Sequence, residues 1–69
     1  MLVKRSFSLA GHRTSVALEP EFWAALAALA DRRGQTVTAL VSRVDAERDP
    51  TQPLASALRI AALRARPEI

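Results

Sequence analysis

From Arg13 to Leu18 the chain alternates: Val16 and Leu18 fall on one side of an extended backbone, and Arg13, Ser15 and Ala17 fall on the other. That period of two predicts a strand with one buried face. Helix-forming sequence follows at once. A lone strand leaves its backbone N–H and C=O groups unpaired, so its partner has to be a weaker N-terminal strand or the same strand of a second copy. Val3 to Leu9 is the weaker stretch, with Val3, Arg5, Phe7 and Leu9 on one side and Lys4, Ser6 and Ser8 on the other. It reads as a short extra strand folding back through Ala10-Gly11, or as an arm that orders only on binding.

Three helices are predicted beyond the strand. Glu19-Pro20-Glu21 suits a helix start, because proline fits the first turn and the acids complement the positive end of the helix dipole. From Pro20 to Arg33, Phe22, Leu26, Leu29 and Ala30 recur at helical spacing and form one buried face, while Trp23 lies beside it at the core edge or a dimer rim. Arg32-Arg33 and Gly34 make the stop. Thr36 is placed to cap a second helix with Val37, Leu40, Val41 and Val44 as its apolar stripe, ending near Arg48. Asp49-Pro50-Thr51-Gln52-Pro53 breaks it. A third helix runs from about Pro53 to Arg64, with Leu54 and Leu58 on one side and Ile60 and Leu63 nearly opposite. A short helix apolar on two sides is expected between two surfaces, packing across a dimer or onto a further subunit.

The chain divides into a basic N-terminal arm or weak strand (1–12), a core (13–48), and a linker with the C-terminal helix (49–69). With 69 residues, no cysteine and one histidine, neither a disulfide framework nor a multi-ligand metal site is available as a staple. A chain this short buries little apolar surface alone, so a symmetric dimer is expected. No apolar run reaches the length of a membrane span, and Met1 to Leu9 has too short an apolar core for a secretory signal. The expected compartment is the cytoplasm.

The net charge of +3 matters through its distribution. Residues 1–18 hold Lys4, Arg5 and Arg13, with His12 nearby and no acid. By contrast, residues 19–50 set Glu19, Glu21, Asp31, Asp45, Glu47 and Asp49 against Arg32, Arg33, Arg43 and Arg48. A single-sign patch beside a strand points to polyanions, although a basic tail that only solubilises has the same composition. His12 reads first as a solvated turn residue.

Strand, helix, glycine turn and capped helix, in that order, span Arg13 to Arg48. The residues Arg13-Thr14-Ser15-Val16-Ala17-Leu18, the face Phe22, Leu26 and Leu29, and the run Gly34-Gln35-Thr36-Val37-Thr38-Ala39-Leu40-Val41 resemble the ribbon-helix-helix family of transcriptional repressors. With Gly11-His12 and Glu19 around the strand, Phe22-Trp23, and Leu54-Ala55-Ser56-Ala57-Leu58-Arg59 near the end, the chain is similar to a subgroup of small bacterial proteins that add a C-terminal helix. The resemblance implies a mainly α fold with one short β-strand per chain. Two chains would intertwine through an intermolecular antiparallel β-ribbon, and a third helix would follow.

It further implies a homodimer whose ribbon enters the DNA major groove, where each base pair presents a distinct pattern of donors and acceptors. On that mapping Arg13, Ser15 and Ala17 contact bases. Ala17 departs from the commoner pattern, which has a long polar side chain there, so direct readout is expected to be thin. The N-terminus of the second helix, at Thr36, Val37 and Thr38, would clamp a phosphate, beside the capping that Thr36 performs without DNA. Lys4 and Arg5 would add phosphate contacts from the arm. Val16, Leu18, Phe22, Leu26, Leu40, Val41 and Val44 would form the dimer core.

The resulting expectation is a dimeric DNA-binding protein, a repressor or antitoxin-like regulator with double-stranded DNA as its partner and no membrane association or cofactor. The alternative is a protein-interaction or oligomerisation module of the same fold without specific DNA binding, with the third helix as the candidate surface for a protein partner or higher assembly. Ala17, the modest charge and the two-sided third helix speak for that alternative. No enzyme is expected, because one histidine and scattered hydroxyls lack the constellation of nucleophile, base and orienting group. Asp45, Glu47 and Asp49 fan around a helix end and read as a solvated face, not a cation site.

Overall fold

The computed structural model describes residues 1–65 and contains a two-stranded antiparallel sheet followed by three helices. Strands β1 (Val3–Leu9) and β2 (His12–Leu18) pair from Val3 opposite Leu18 to Leu9 opposite His12. Between them Ala10 and Gly11 both take positive φ, 50° and 81°. That is the backbone a two-residue type I′ hairpin turn requires, and its twist matches the strands it joins. At Ala10 the left-handed conformation costs about 1 kcal/mol that a glycine would not incur.

Among the described residues the chain has two strands, where the resemblance implied one short strand; of the two readings of Val3 to Leu9, the strand folding back through Ala10-Gly11 holds and not the free arm. The reason lies in the alternation of β1. Phe7 and Leu9 turn inward beside Val16 and Leu18, and all four are buried. An arm that stayed free would leave these aromatic and aliphatic surfaces in water, at a cost of about 1.5–3 kcal/mol for each large side chain.

Helix α1 (Pro20–Arg32) begins at Glu19, with Pro20 in its first turn. It ends in a Schellman arrangement: Gly34 takes φ 65°, its N–H donates to the Asp31 carbonyl at 3.0 Å, and the Gln35 N–H donates to the Ala30 carbonyl at 2.9 Å. Helix α2 (Val37–Glu47) is capped by Thr36, whose Oγ1 accepts from the Ala39 N–H at 3.0 Å. Thr36→Ala is expected to lower the stability of the chain by about 0.5–2 kcal/mol, measured from the urea midpoint. An unchanged midpoint would mean that the cap contributes nothing.

Helix α3 (Leu54–Arg64) packs against α1, α2 and β2 of its own chain. Its segment expected to run to residue 69 passes beyond Ala65, and residues 66–69 lie outside the described residues. Leu54, Ala57, Leu58 and Ala62 face the core, whereas Ile60 is 40% exposed and Leu63 58% exposed. The second apolar side of α3 is therefore uncovered in the single chain.

Polar ties help to hold the helices together. Arg59 of α3 reaches Glu19 at 3.0 Å and lies over the Phe22 ring, 5.7 Å from its centroid. Hydrogen bonding by its own backbone and then by Arg59 holds the Glu19 carboxyl below the usual carboxylate range. Arg48, just past α2, donates to Asp45 at 2.9 Å and to the Gln52 carbonyl at 2.7 Å, fixing the turn into α3.

Five of the residues expected at a dimer core, Val16, Leu18, Leu26, Leu40 and Val41, are buried within the single chain. Phe22 and Val44 are half-buried. Strand β1 and helix α3 flank the strand-helix-helix segment and supply Phe7, Leu9, Leu54 and Leu58 to the same core. Trp23, expected at an edge, is only 3% exposed and sits in this core.

Candidate nucleic-acid interface

The inner face of the hairpin is spent on the core, and its outer face is open. Pairing places Lys4 opposite Ala17, Ser6 opposite Ser15, and Ser8 opposite Arg13. A two-residue hairpin turn makes Leu9 and His12 a hydrogen-bonded pair, so by alternation these three outer pairs are the non-hydrogen-bonded ones, whose side chains stand closest. Lys4, Ser6, Ser8, Arg13 and Ser15 are exposed, and Ala17 is half-exposed. No acid occurs anywhere in residues 1–18. The outer face is thus a polar, cationic strip on a rigid two-stranded support.

The strip is internally organised. The hydroxyls of Ser6 and Ser15 lie 3.0 Å apart, and Arg13 Nη1 donates to Ser8 Oγ at 3.4 Å. A serine pair bonded to itself keeps one free O–H and unused lone pairs, so it still both donates and accepts. The 3.4 Å contact is weak enough for the Arg13 guanidinium to exchange it for a better acceptor.

Of the expected base-contacting residues, Arg13, Ser15 and Ala17 lie together on this strip. The two residues expected in a basic arm part company. Lys4 is on the outer face, but Arg5 is on the other side of β1, its guanidinium 5.0 Å from the centroid of the Trp23 ring. That is a cation–π contact, which gives Arg5 a packing role whether or not a phosphate is near. Trp23 in turn donates from Nε1 to the Val3 carbonyl at 2.7 Å and packs on Phe7, with ring centroids 5.9 Å apart. Trp23 is the residue that sequence reasoning placed too far out. The available signal was Trp23, Leu26 and Ala30, a second helical stripe beside Phe22, Leu26 and Leu29.

At the start of α2, Thr36, Val37 and Thr38 present the free N–H groups of a first helical turn; Thr36 and Thr38 are exposed and Val37 is half-buried. The positive end of the helix dipole coincides with them, and α2 carries no acid in its first turn to neutralise it. His12 is exposed at the turn.

The three acids at the end of α2, Asp45, Glu47 and Asp49, each have a nearby partner. Asp45 pairs with Arg48, Glu47 lies 3.5 Å from Arg43, and Asp49 accepts from both the hydroxyl and the N–H of Thr51, which hold its carboxyl below the usual range. Among the described residues, no group of three or more histidine, cysteine or acidic side chains is arranged to hold a metal ion. Likewise no helix among them is long and apolar enough to cross a membrane.

A family model described as a ribbon-helix-helix domain matches residues 2–65, nearly the whole chain and all five elements of the described residues. Searches of curated proteins and of solved structures give no match.

Proposed function

Because the chain belongs to the ribbon-helix-helix domain family, whose members are DNA-binding regulators and typically dimers, we propose that it is a homodimeric transcription regulator that reads the DNA major groove with its β-ribbon. The observation that carries this reading is the outer strip of the hairpin: two paired strands, cationic at both ends, hydroxylated between, with no acid on either strand. A two-stranded ribbon has the dimensions of the major groove. Arg13 suits bidentate donation to guanine, Ser15 pairs with several bases, and Ala17 meets a thymine methyl. The start of α2 at Thr36, Val37 and Thr38 supplies a phosphate clamp, and Lys4 adds charge to the same face.

A repressor acting in the bacterial cytoplasm fits this reading, and so does an antitoxin-like regulator. The exposed Ile60 and Leu63 favour the second form, since an antitoxin needs an apolar surface for its protein partner as well as a DNA-binding one. If DNA binding were absent, the same two residues would support the protein-interaction reading.

Arg13→Ala tests the proposal. Affinity for a preferred duplex should fall by about 1–3 kcal/mol, the usual worth of a bidentate base contact, with an unchanged melting temperature because the side chain is exposed. Fluorescence anisotropy on a labelled duplex measures the first and circular dichroism the second. A folded variant with wild-type affinity would remove Arg13 from the interface.

A further inference from the structure

The outward row of β2 ends next to an acid. Carried one step past Leu18, the alternation that sets Arg13, Ser15 and Ala17 outward sets Glu19 beside them, and Glu19 is the first acid of the chain. Its backbone is still extended, at φ −60° and ψ 146°, as the residue before a proline prefers. Hydrogen bonding by its own backbone and then by Arg59 keeps the carboxyl below the usual carboxylate range, so it is ionised at neutral pH. Left free beside Ala17, it would repel the phosphates that the cationic strip attracts.

The carboxylate is instead tied to α3. Arg59, 40 residues further along the chain, donates from Nε to Glu19 Oε1 at 3.1 Å, and its Nη2 lies 3.0 Å from the same oxygen. The guanidinium also lies over the Phe22 ring, 5.7 Å from its centroid. Helix α3 packs on the inner side of the sheet, where Leu58 shares a core with Val16 and Leu18, so the tie holds the carboxylate toward the helices. Although Glu19 stands at the N-cap of α1, its side chain makes no capping bond there.

We propose that Arg59 is a positioning residue of the DNA interface, holding the Glu19 carboxylate against α3 so that the outward row of β2 turns no negative charge toward the groove. The inference rests on the reading that this row enters the groove. It gives the C-terminal helix a part in DNA binding that needs no contact between α3 and DNA.

The pair is poorly placed to serve folding alone. The side chains of Arg59 and Glu19 are 34% and 41% exposed, and ion pairs so open to water add little to stability. Leu54 and Leu58 already seat α3 in the core. Glu21 supplies the contrast: it is exposed in the first turn of α1 and has no ion pair among the described residues.

The test is a double-mutant cycle read as affinity for labelled duplex DNA, with Arg59→Met and Glu19→Gln made singly and together. Methionine keeps an apolar stem on Phe22, and thermal melting by circular dichroism checks that each variant is folded. Arg59→Met should weaken binding about fivefold at low salt, the scale of one unit charge close to a phosphate, and less at high salt. In the Glu19→Gln background the same substitution should change affinity by less than about twofold, whereas with Glu21→Gln it should keep its full effect. Equal losses with and without the Glu19 carboxylate would mean that Arg59 acts only through its own charge, and would overturn the inference. So would wild-type affinity in folded Arg59→Met, and DNA reading would stand in both cases. Glu19→Gln alone leaves α3 untouched and should shift affinity by less than about twofold; a larger gain would show that the carboxylate already opposes DNA despite Arg59, which also overturns it. Failure of the wild type to bind any duplex would remove the inference together with the function it rests on.

Discussion

Leu58→Asp is expected to leave the chain unfolded at room temperature. Leu58 is fully buried, and it belongs to the same cluster as Leu18, Leu26, Leu40 and Val41 although it lies in α3, outside the strand-helix-helix segment. A carboxylate there meets only apolar neighbours, since the buried residues among those described are all apolar. Burying it unpaired costs several kcal/mol, against a total stability of about 5–15 kcal/mol for a small domain. The milder Leu58→Ala should cost about 2–5 kcal/mol. Far-UV circular dichroism reads the first variant and a urea titration the second. If Leu58→Ala shifts the midpoint by no more than an exposed substitution does, α3 is an appendage and not part of the core.

Trp23→Ala is expected to destabilise the chain by about 3–5 kcal/mol, the range for large aromatic truncations. Its particular effect should be on β1. The indole is the hub of that strand's inner face: it packs on Phe7, lies under Arg5 and donates to the Val3 carbonyl. Losing it removes three contacts to one strand, so amide hydrogen exchange in residues 3–9 should rise toward that of an unpaired segment before the helices open. Uniform loss of protection over β1 and α1 would show instead that the hairpin and the helices open as one unit. Trp23→Phe, which keeps most of the apolar surface but deletes the N–H donor, isolates the hydrogen bond to Val3 at about 1 kcal/mol.

The helices were legible because each carries its own punctuation. Pro20 opens α1, Gly34 closes it and Thr36 caps α2, and these local devices work whatever surrounds them. The Leu54 and Leu58 side of α3 was legible for the same reason, and its second apolar side, Ile60 and Leu63, is the exposed one. The hairpin was harder to read. Its turn is Ala10-Gly11, and alanine is a poor marker for a position that needs positive φ. Strand β1 also puts Arg5 on the side of Phe7 and Leu9, which blurs the alternation; the residue stays exposed there, with its guanidinium over the Trp23 ring. Trp23 itself was placed at an edge because α1 buries two adjoining stripes, and the stripe through Phe22 drew the assignment. Residues needed by a dimer and residues buried in one chain look identical in sequence. In the single chain, β1 and α3 pack around the same core as these residues.

The candidate strip was half legible. Arg13, Ser15 and Ala17 followed from the alternation of β2, but Ser6 and Ser8 emerge only from the register, which sets them opposite Ser15 and Arg13. Lys4 and Arg5, neighbours in sequence, end on opposite sides of one strand, because adjacent residues in an extended chain always do.

The most direct test of the central claim is to titrate isotope-labelled protein with a short duplex DNA at low and at moderate salt while following its backbone amide resonances. The ribbon account predicts salt-sensitive shifts concentrated at Lys4, Ser6, Ser8, Arg13, Ser15 and Ala17, with a second cluster at Thr36, Val37 and Thr38. Shifts confined to α3 around Ile60 and Leu63, or no shifts at either salt, would contradict it.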